Sequence, residues 1–222
     1  WASKEVESTS FYTVFFATSY CFDLSIFEIF FPLSSGKSVR ILENGLEIAD
    51  WLQKEENILI NTVPSVVQSL VEENADFSNV IAINMAGEVI PPGLAQIIPV
   101  DRIQVRNLYG PSEDTTYSTS YLIEHPIDKT ISIGKPISNT EIYILSEGME
   151  LQPKGVVGEL CISGKGLAKG YLYQPILTQE KFVSHPFKKE SRIYRTGDLA
   201  KWTADGNLEF IGRKDAPIKL KG

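Results

Sequence analysis

The chain has 222 residues and a mass of 24.7 kDa, enough to bury a substantial core in one or two domains. Hydrophobic and charged fractions of 43% and 22% are ordinary for a soluble globular protein, and apolar stretches such as 26–33 carry Glu28 and Pro32 and are too short to span a bilayer. A net charge of −7, a pI near 5.0 and scattered basic residues argue against a nucleic-acid surface.

In chain order, a turn-like Cys21-Phe22-Asp23 leads into an expected helix with Leu24, Phe27 and Phe31 at helical spacing. Residues 38–42 read as a strand, 48–55 as a short helix and Ile58-Leu59-Ile60 as a buried strand. Pro64 starts a helix with Val66, Val67, Leu70 and Val71 as its apolar stripe; 80–85 is the next strand, and Pro91-Pro92 opens another short helix. Ile103-Gln104-Val105 then reads as a strand delivering a loop, Asn107-Leu108-Tyr109-Gly110-Pro111-Ser112-Glu113. Strands alternating with helices imply an α/β, largely parallel sheet whose ligands gather at the strand C-terminal ends. From about Thr116 the pattern is strands and turns only: 117–123, 141–145, 159–163, 199–202 and 208–211, with Asp205-Gly206 as a hairpin turn. This half suggests a barrel-like β subdomain.

The loop after the 103–105 strand carries chemistry. Tyr109 offers a flat face to a purine, and Ser112 and Glu113 suit phosphate oxygens and a hard cation, although an ordinary strand-to-turn junction has the same residues. Asp23, beside Phe22, Leu24, Ile26 and Phe27, either caps a helix or meets a cation, since a bare buried carboxylate is costly. The glycines of 164–170 have neither dinucleotide nor phosphate-loop spacing and read as a tight turn between strands. His125 and His185 each precede a proline and show no catalytic or metal-ligand spacing. Cys21 and Cys161 stand far apart and in no ligand spacing, which favours buried free thiols in a reducing cytosol. No targeting segment is visible, so the expected location is cytoplasmic.

The order and spacing of Phe22-Asp23-Leu24-Ser25, the Asn107 to Glu113 loop, Gly158-Glu159-Leu160-Cys161 through Gly170-Tyr171, Tyr194-Arg195-Thr196-Gly197-Asp198-Leu199 and Gly212-Arg213-Lys214-Asp215 resemble the core motifs of amino-acid adenylation domains of nonribosomal peptide synthetases, within the adenylate-forming, AMP-binding enzymes. The resemblance implies the adenylate-forming fold, with 1–130 as its α/β part, 131–211 as the β-barrel-like subdomain and 212–222 as the hinge and start of a further domain. It implies ATP and Mg²⁺ as cofactors, and peptidyl carrier and condensation domains as partners, the carrier bearing phosphopantetheine. Asp23 would hold the substrate ammonium, in a pocket lined by Leu24, Phe27, Asn61, Asn84, Ala86, Leu108, Thr116 and Tyr117. Asn61 and Asn84 also suit strand-end hydrogen bonding.

This set resembles the signature linked to alanine, with glycine next, as in cyanobacterial synthetases of the microcystin type. For the nucleotide, the resemblance implies Tyr109 on adenine, with Gly87, Glu88, Asn107 and Gly110 around it, and Ser112 at the α-phosphate. Glu113 would bind the metal, Asp198 the ribose, for which a turn-capping role is the alternative, and Arg213 the ribose or phosphate; Asp215 would be the hinge. Lys169 replaces a more usual arginine, Phe210 stands where an aromatic hydroxyl is common, and Ala216-Pro217 replaces a polar pair after the hinge. Family members also carry a phosphate loop before the first motif and a C-terminal lysine domain; without these the chain reads as an excerpt, expected to be nearly inactive alone. Alternatives are an acid-activating relative of the acyl-CoA ligase kind and a non-catalytic nucleotide-binding module.

Overall fold

The computed structural model describes residues 1–6, 10–125 and 130–215, so the Ala216-Pro217 expectation lies outside the described residues. After a short helix α1 (Ala2–Glu5), the chain lays down β1 (Thr13–Phe16), α2 (Leu24–Ser34), β2 (Ser38–Ile41), α3 (Ile48–Trp51), β3 (Ile58–Thr62), α4 (Pro64–Glu72), β4 (Val80–Ala86), α5 (Pro92–Ile97) and β5 (Gln104–Tyr109). Then come β6 (Thr119–Ile123), β7 (Lys135–Pro136), β8 (Thr140–Leu145), β9 (Gly158–Gly164), α6 (Pro175–Lys181), β10 (Phe182–Ser184), β11 (Arg192–Trp202) and β12 (Leu208–Arg213).

The first sheet runs β2-β1-β3-β4-β5-β6-β7; β1 to β5 are parallel, and β6 and β7 are antiparallel additions. Strand alternation divides its side chains between two cores. Phe15, Ile58, Ile60, Ile83, Met85 and Val105 pack on one face with Ile48, Leu70 and Leu94 from the α3 to α5 side. Val14, Leu59, Ala82, Ala86 and Leu108 pack on the other against Leu24, Phe27 and Phe31 of α2. Each large side chain so buried contributes about 1.5–3 kcal/mol. Proline opens α4, α5 and α6, at a position where its missing N–H costs nothing.

The second sheet, β10-β11-β9-β8 with β12 on β11, is wholly antiparallel and encloses Ile142, Ile144, Leu160, Ile162, Ala200 and Leu208. Backbone hydrogen bonds join the second sheet to the segment leading into β7 of the first. Ile133 N–H donates to the Leu208 carbonyl at 2.9 Å, and Leu208 N–H donates to the Gly134 carbonyl at 2.8 Å. Gly134 has φ of +81°, and a Cβ there would fall 1.9 Å from the Ser120 carbonyl oxygen, so only glycine fits.

Several expectations need correction. The β half contains a helix, α6, whose Leu177 and Lys181 region lacks a long apolar stripe that would mark it in sequence. The 48–55 helix stops at Trp51. The 164–170 run does turn, at Lys165-Gly166, but it leads into α6 before the next strand. Tyr109 lies at the end of β5 and not in the following loop, and β11 starts at Arg192, so Asp198 sits within a strand at an irregularity in its register, not in a capping turn. Cys161 is buried as expected, but Cys21 is exposed. Among the described residues no helix is long and apolar enough to cross a membrane.

Candidate functional site

The carboxyl ends of β4 and β5 meet the second sheet at a cavity of about 660 Å³. That is an ordinary size for a small-molecule site. Of the residues expected at the nucleotide it is lined by Gly87, Glu88, Asn107, Tyr109, Gly110, Asp198 and Arg213, together with Phe210, whereas Ser112 and Glu113 lie beyond its lining. Tyr109 and Phe210 face each other with centroids 6.2 Å apart. The Tyr109 hydroxyl donates to Asp198 Oδ2 at 2.5 Å, and Arg213 Nη1 donates to Oδ1 at 3.1 Å. Burial pushes the Asp198 carboxyl above its usual range against those two favourable partners, and burial followed by the Asp198 charge pushes the Tyr109 phenol well up. Two of the four or so lone-pair sites of Asp198 are therefore occupied, which leaves acceptor capacity for a diol.

Other members have commitments of their own. Asn107 Nδ2 donates to the Ser132 carbonyl at 2.8 Å. Glu88 takes the backbone N–H and the hydroxyl of Ser65, both at 3.0 Å, and so caps α4, whose own N-cap residue Val63 has no capping side chain. Gly110 is required sterically: a Cβ would lie 2.4 Å from the Thr116 carbonyl oxygen and 2.7 Å from Tyr117 Cα. Arg213 also grips Asp215 through Nε and Nη2, at 3.1 and 3.2 Å, linking the expected hinge residue to Asp198 through one guanidinium.

Beyond Gly110, residues Ser112–Asp114 form one 3₁₀ turn, and Thr115 and Thr116 follow at φ of +57° and +73°. Two consecutive non-glycine residues in this region store backbone strain. The strain is held from outside. Thr115 Oγ1 donates to the Gly166 carbonyl at 2.7 Å, Ala168 N–H to the Glu113 carbonyl at 2.8 Å, and Thr116 Oγ1 to the Asp23 carbonyl at 3.0 Å. Thus the glycine-rich run, which has no phosphate-loop spacing, clamps the turn that carries Ser112 and Glu113.

Asp23 occupies the N-cap position of α2 but makes no capping bond; its Oδ2 accepts from Ser112 Oγ at 2.6 Å. Behind it, Leu24, Phe27, Ala86, Leu108 and Tyr117 share one apolar cluster, with the Phe27 and Tyr117 rings edge-on at 5.4 Å. Asn61 is joined to that cluster by the Tyr117 hydroxyl, which donates to Asn61 Oδ1 at 2.6 Å. Asn84 is fully buried on the neighbouring strand, and its amide nitrogen and oxygen have no hydrogen-bond partner. All nine expected substrate positions therefore meet in one region. Such an orphaned amide is costly unless something polar pairs with it.

Three groups at the site have no counterpart in the sequence reading. Tyr171 donates to Glu113 Oε1 at 2.5 Å. Asp114 is 2% exposed, accepts from Ser118 Oγ at 2.7 Å, and burial pushes its carboxyl up to about 6. Glu28 is fully buried behind Asn61. The signal for Glu28 was present, since a carboxylate inside the Leu24, Phe27, Phe31 apolar stripe must be paired. Nothing local marked the other two.

As a metal position, Glu113 fits a magnesium nucleotide, because Mg²⁺ is held by one or two carboxylates together with substrate phosphates. Among the described residues there is no cluster of three or more His, Cys, Asp or Glu that could hold a metal alone.

Residues 3–172 match the model of a family described as AMP-binding enzyme. The chain is 42% identical over 226 positions to a linear gramicidin synthase of Brevibacillus parabrevis, a match covering all of this chain and 4% of that protein. To the dimodular nonribosomal peptide synthase of Bacillus subtilis it is 38% identical over 211 positions, covering 92% of this chain and 9% of the relative. The chain thus spans less than a tenth of the length of these curated relatives. Among solved structures, the nonribosomal peptide synthetase FmoA3 (S1046A) aligns with a TM-score of 0.89 at 27% identity over 96% of this chain and 24% of that one. A four-domain nonribosomal peptide synthetase, holo-AB3403, bound to AMP and glycine, aligns with a TM-score of 0.88 at 30% identity, covering 98% and 17% respectively.

Proposed function

The chain belongs to the AMP-binding enzyme family, as an adenylation domain of the nonribosomal peptide synthetase class, and on that premise we propose that it activates a small neutral amino acid, alanine first and glycine next, as the aminoacyl-AMP. The observation that carries this reading is the Asp23 carboxylate, which accepts from Ser112 of the turn after Gly110 and begins the helix whose Leu24 and Phe27 pack with Ala86, Leu108 and Tyr117. A carboxylate there selects a substrate with a free α-ammonium and so sets its carboxylate toward the Ser112–Glu113 turn.

In the proposed reaction an oxygen of the amino-acid carboxylate bonds to the α-phosphorus of ATP while the α–β bridging bond breaks and pyrophosphate leaves. This chain's residues act by positioning and by charge. Tyr109 stacks on the base, Asp198 accepts from the ribose, and Ser112, whose hydroxyl proton goes to Asp23 in this structure, turns it to the α-phosphate once the substrate ammonium takes that carboxylate. Glu113 holds Mg²⁺, which when bound neutralises charge on the phosphate oxygens. The thiol of phosphopantetheine on a carrier domain then takes the aminoacyl group and AMP leaves; carrier and condensation domains are the proposed partners, and the cytoplasm the proposed location.

The volume taken up by Phe27, Leu108 and Tyr117 supports a small substrate, while one methyl is worth only about 1–3 kcal/mol, so alanine and glycine will overlap. The likeness of the nine-residue set to microcystin-type synthetases is part of the same substrate proposal.

The test is amino-acid-dependent ATP–pyrophosphate exchange by the full-length protein across the twenty amino acids, with alanine and glycine expected to lead. Asp23→Ala should abolish amino-acid dependence and leave the Mg-ATP dissociation constant within about threefold. Propionate serving as well as alanine would transfer the reading to an acid-activating ligase. A protein with no calorimetric ATP binding would be a scaffold.

A further inference from the structure

Behind the substrate pocket lies a hydrogen-bond chain with a fixed direction. Glu28 is fully buried on α2. Its Oε2 accepts the backbone N–H groups of Ala17 at 3.1 Å and Thr18 at 3.3 Å. The Thr18 hydroxyl lies 2.9 and 3.0 Å from its two oxygens, and Asn61 Nδ2 donates to Oε1 at 3.0 Å. The other end of the Asn61 amide accepts the Tyr117 hydroxyl proton at 2.6 Å. Burial raises the Glu28 carboxyl above its usual range, and the four donors around it oppose that rise.

We propose that Glu28 is a specificity-determining residue behind the pocket: by accepting on both oxygens it orients the Asn61 amide, which in turn draws the Tyr117 hydroxyl proton away from the substrate side chain. This rests on the reading of the pocket given above. Donor and acceptor parity sets the direction. Backbone N–H groups cannot reverse, so the oxygen facing Ala17 and Thr18 must be an acceptor. Only a carboxylate offers a second acceptor at the same time, and a second acceptor is what obliges Asn61 to present its NH₂ inward and its carbonyl to Tyr117. The pocket then meets the aromatic body of Tyr117 and not its hydroxyl proton, which suits a methyl or a hydrogen.

Glu28→Gln has the same shape and breaks the parity. The glutamine oxygen must stay with the backbone N–H groups, so its NH₂ points at Asn61. Asn61 turns over, its own NH₂ meets the Tyr117 oxygen, and the phenolic proton is released toward the pocket.

Two measurements test this. In the 222-residue chain, nuclear Overhauser contacts from the Asn61 side-chain NH₂ should reach the Thr18 methyl, and in Glu28→Gln they should reach the Tyr117 ring instead. A wild-type NH₂ that contacts the Tyr117 ring and not Thr18 overturns the proposal, and this result does not depend on the variant folding. In exchange assays on the full-length protein, Glu28→Gln should raise the serine-to-alanine ratio of kcat/KM about tenfold, the worth of one net hydrogen bond, and chiefly through KM. Adding Tyr117→Phe should remove the serine gain. Thr18→Val, which keeps the shape and removes only the hydroxyl donor to Glu28 while the Ala17 and Thr18 backbone N–H donors and the Asn61 NH₂ remain, should leave the ratio unchanged. A flipped Asn61 with an unchanged ratio refutes the specificity role. Wild-type protein without amino-acid-dependent exchange refutes the functional reading itself, while the Overhauser contacts still decide the direction of the chain.

Discussion

Replacing Asp114 by asparagine should make the protein more stable at neutral pH and remove part of its pH dependence. The carboxyl is 2% exposed, one oxygen accepts from Ser118 and the other has no hydrogen-bond partner. Its rise from 3.8 to about 6 corresponds to about 3 kcal/mol disfavouring the ionised form in the folded state, at about 1.36 kcal/mol per pH unit. Because the folded pKa lies above the unfolded one, the native state binds more protons between the two values, and stability falls as pH rises from about 4 to about 6 before levelling off. Asparagine keeps the shape and the acceptor for Ser118 but carries no charge, although its NH₂ inherits the unpartnered position. The expected net gain is therefore about 1–2 kcal/mol at pH 8, shrinking toward zero near pH 4.5. Urea unfolding of both proteins at intervals between pH 4.5 and 8 measures the difference, in which the contributions of other buried acids cancel. A gain that does not vary with pH, or a loss at pH 8, would refute a buried ionised carboxylate at this turn.

Gly110→Ala should cost at least about 3 kcal/mol or prevent folding, since the added Cβ meets three backbone positions of 116–118 and not the end of a flexible side chain; denaturant midpoints measure it. Tyr171→Phe removes the hydroxyl donor to Glu113 and should raise the Mg²⁺ concentration for half-maximal exchange about three- to tenfold, with unfolding free energy changed by about 1 kcal/mol or less. An unaltered Mg²⁺ dependence would show that Glu113 is oriented by the turn alone.

Much of the α/β half was legible because its signals are local. The Pro64 helix start, the Ile58-Leu59-Ile60 run and the Leu24, Phe27, Phe31 stripe each state a period or a terminus within a dozen residues, and all three appear as read. β1 was missed although Thr13-Val14-Phe15-Phe16 is suitable for a strand, because the short continuous apolar run Val14-Phe15-Phe16 has no period to distinguish it from a buried helix turn. α6 was missed for the opposite reason: it buries no residue fully, so its sequence carries no core face to detect.

At the site, sequence determined which side chains are present and, through the resemblance of its motifs to those of adenylation domains, implied that Asp23, Tyr109, Ser112 and Asp198 belong to a common setting. Only the tertiary structure decided what each of them touches. Asp23 sits at a helix N-cap yet bonds Ser112, 89 positions away; Glu88 caps a helix that it does not belong to; Tyr109 fastens Asp198 from the other sheet. The reason is physical: periodicity and turn preferences are set by neighbours along the chain, whereas a buried polar group is stable only with its partner in place, and those partners are brought together by sheet register and by the docking of one sheet on another.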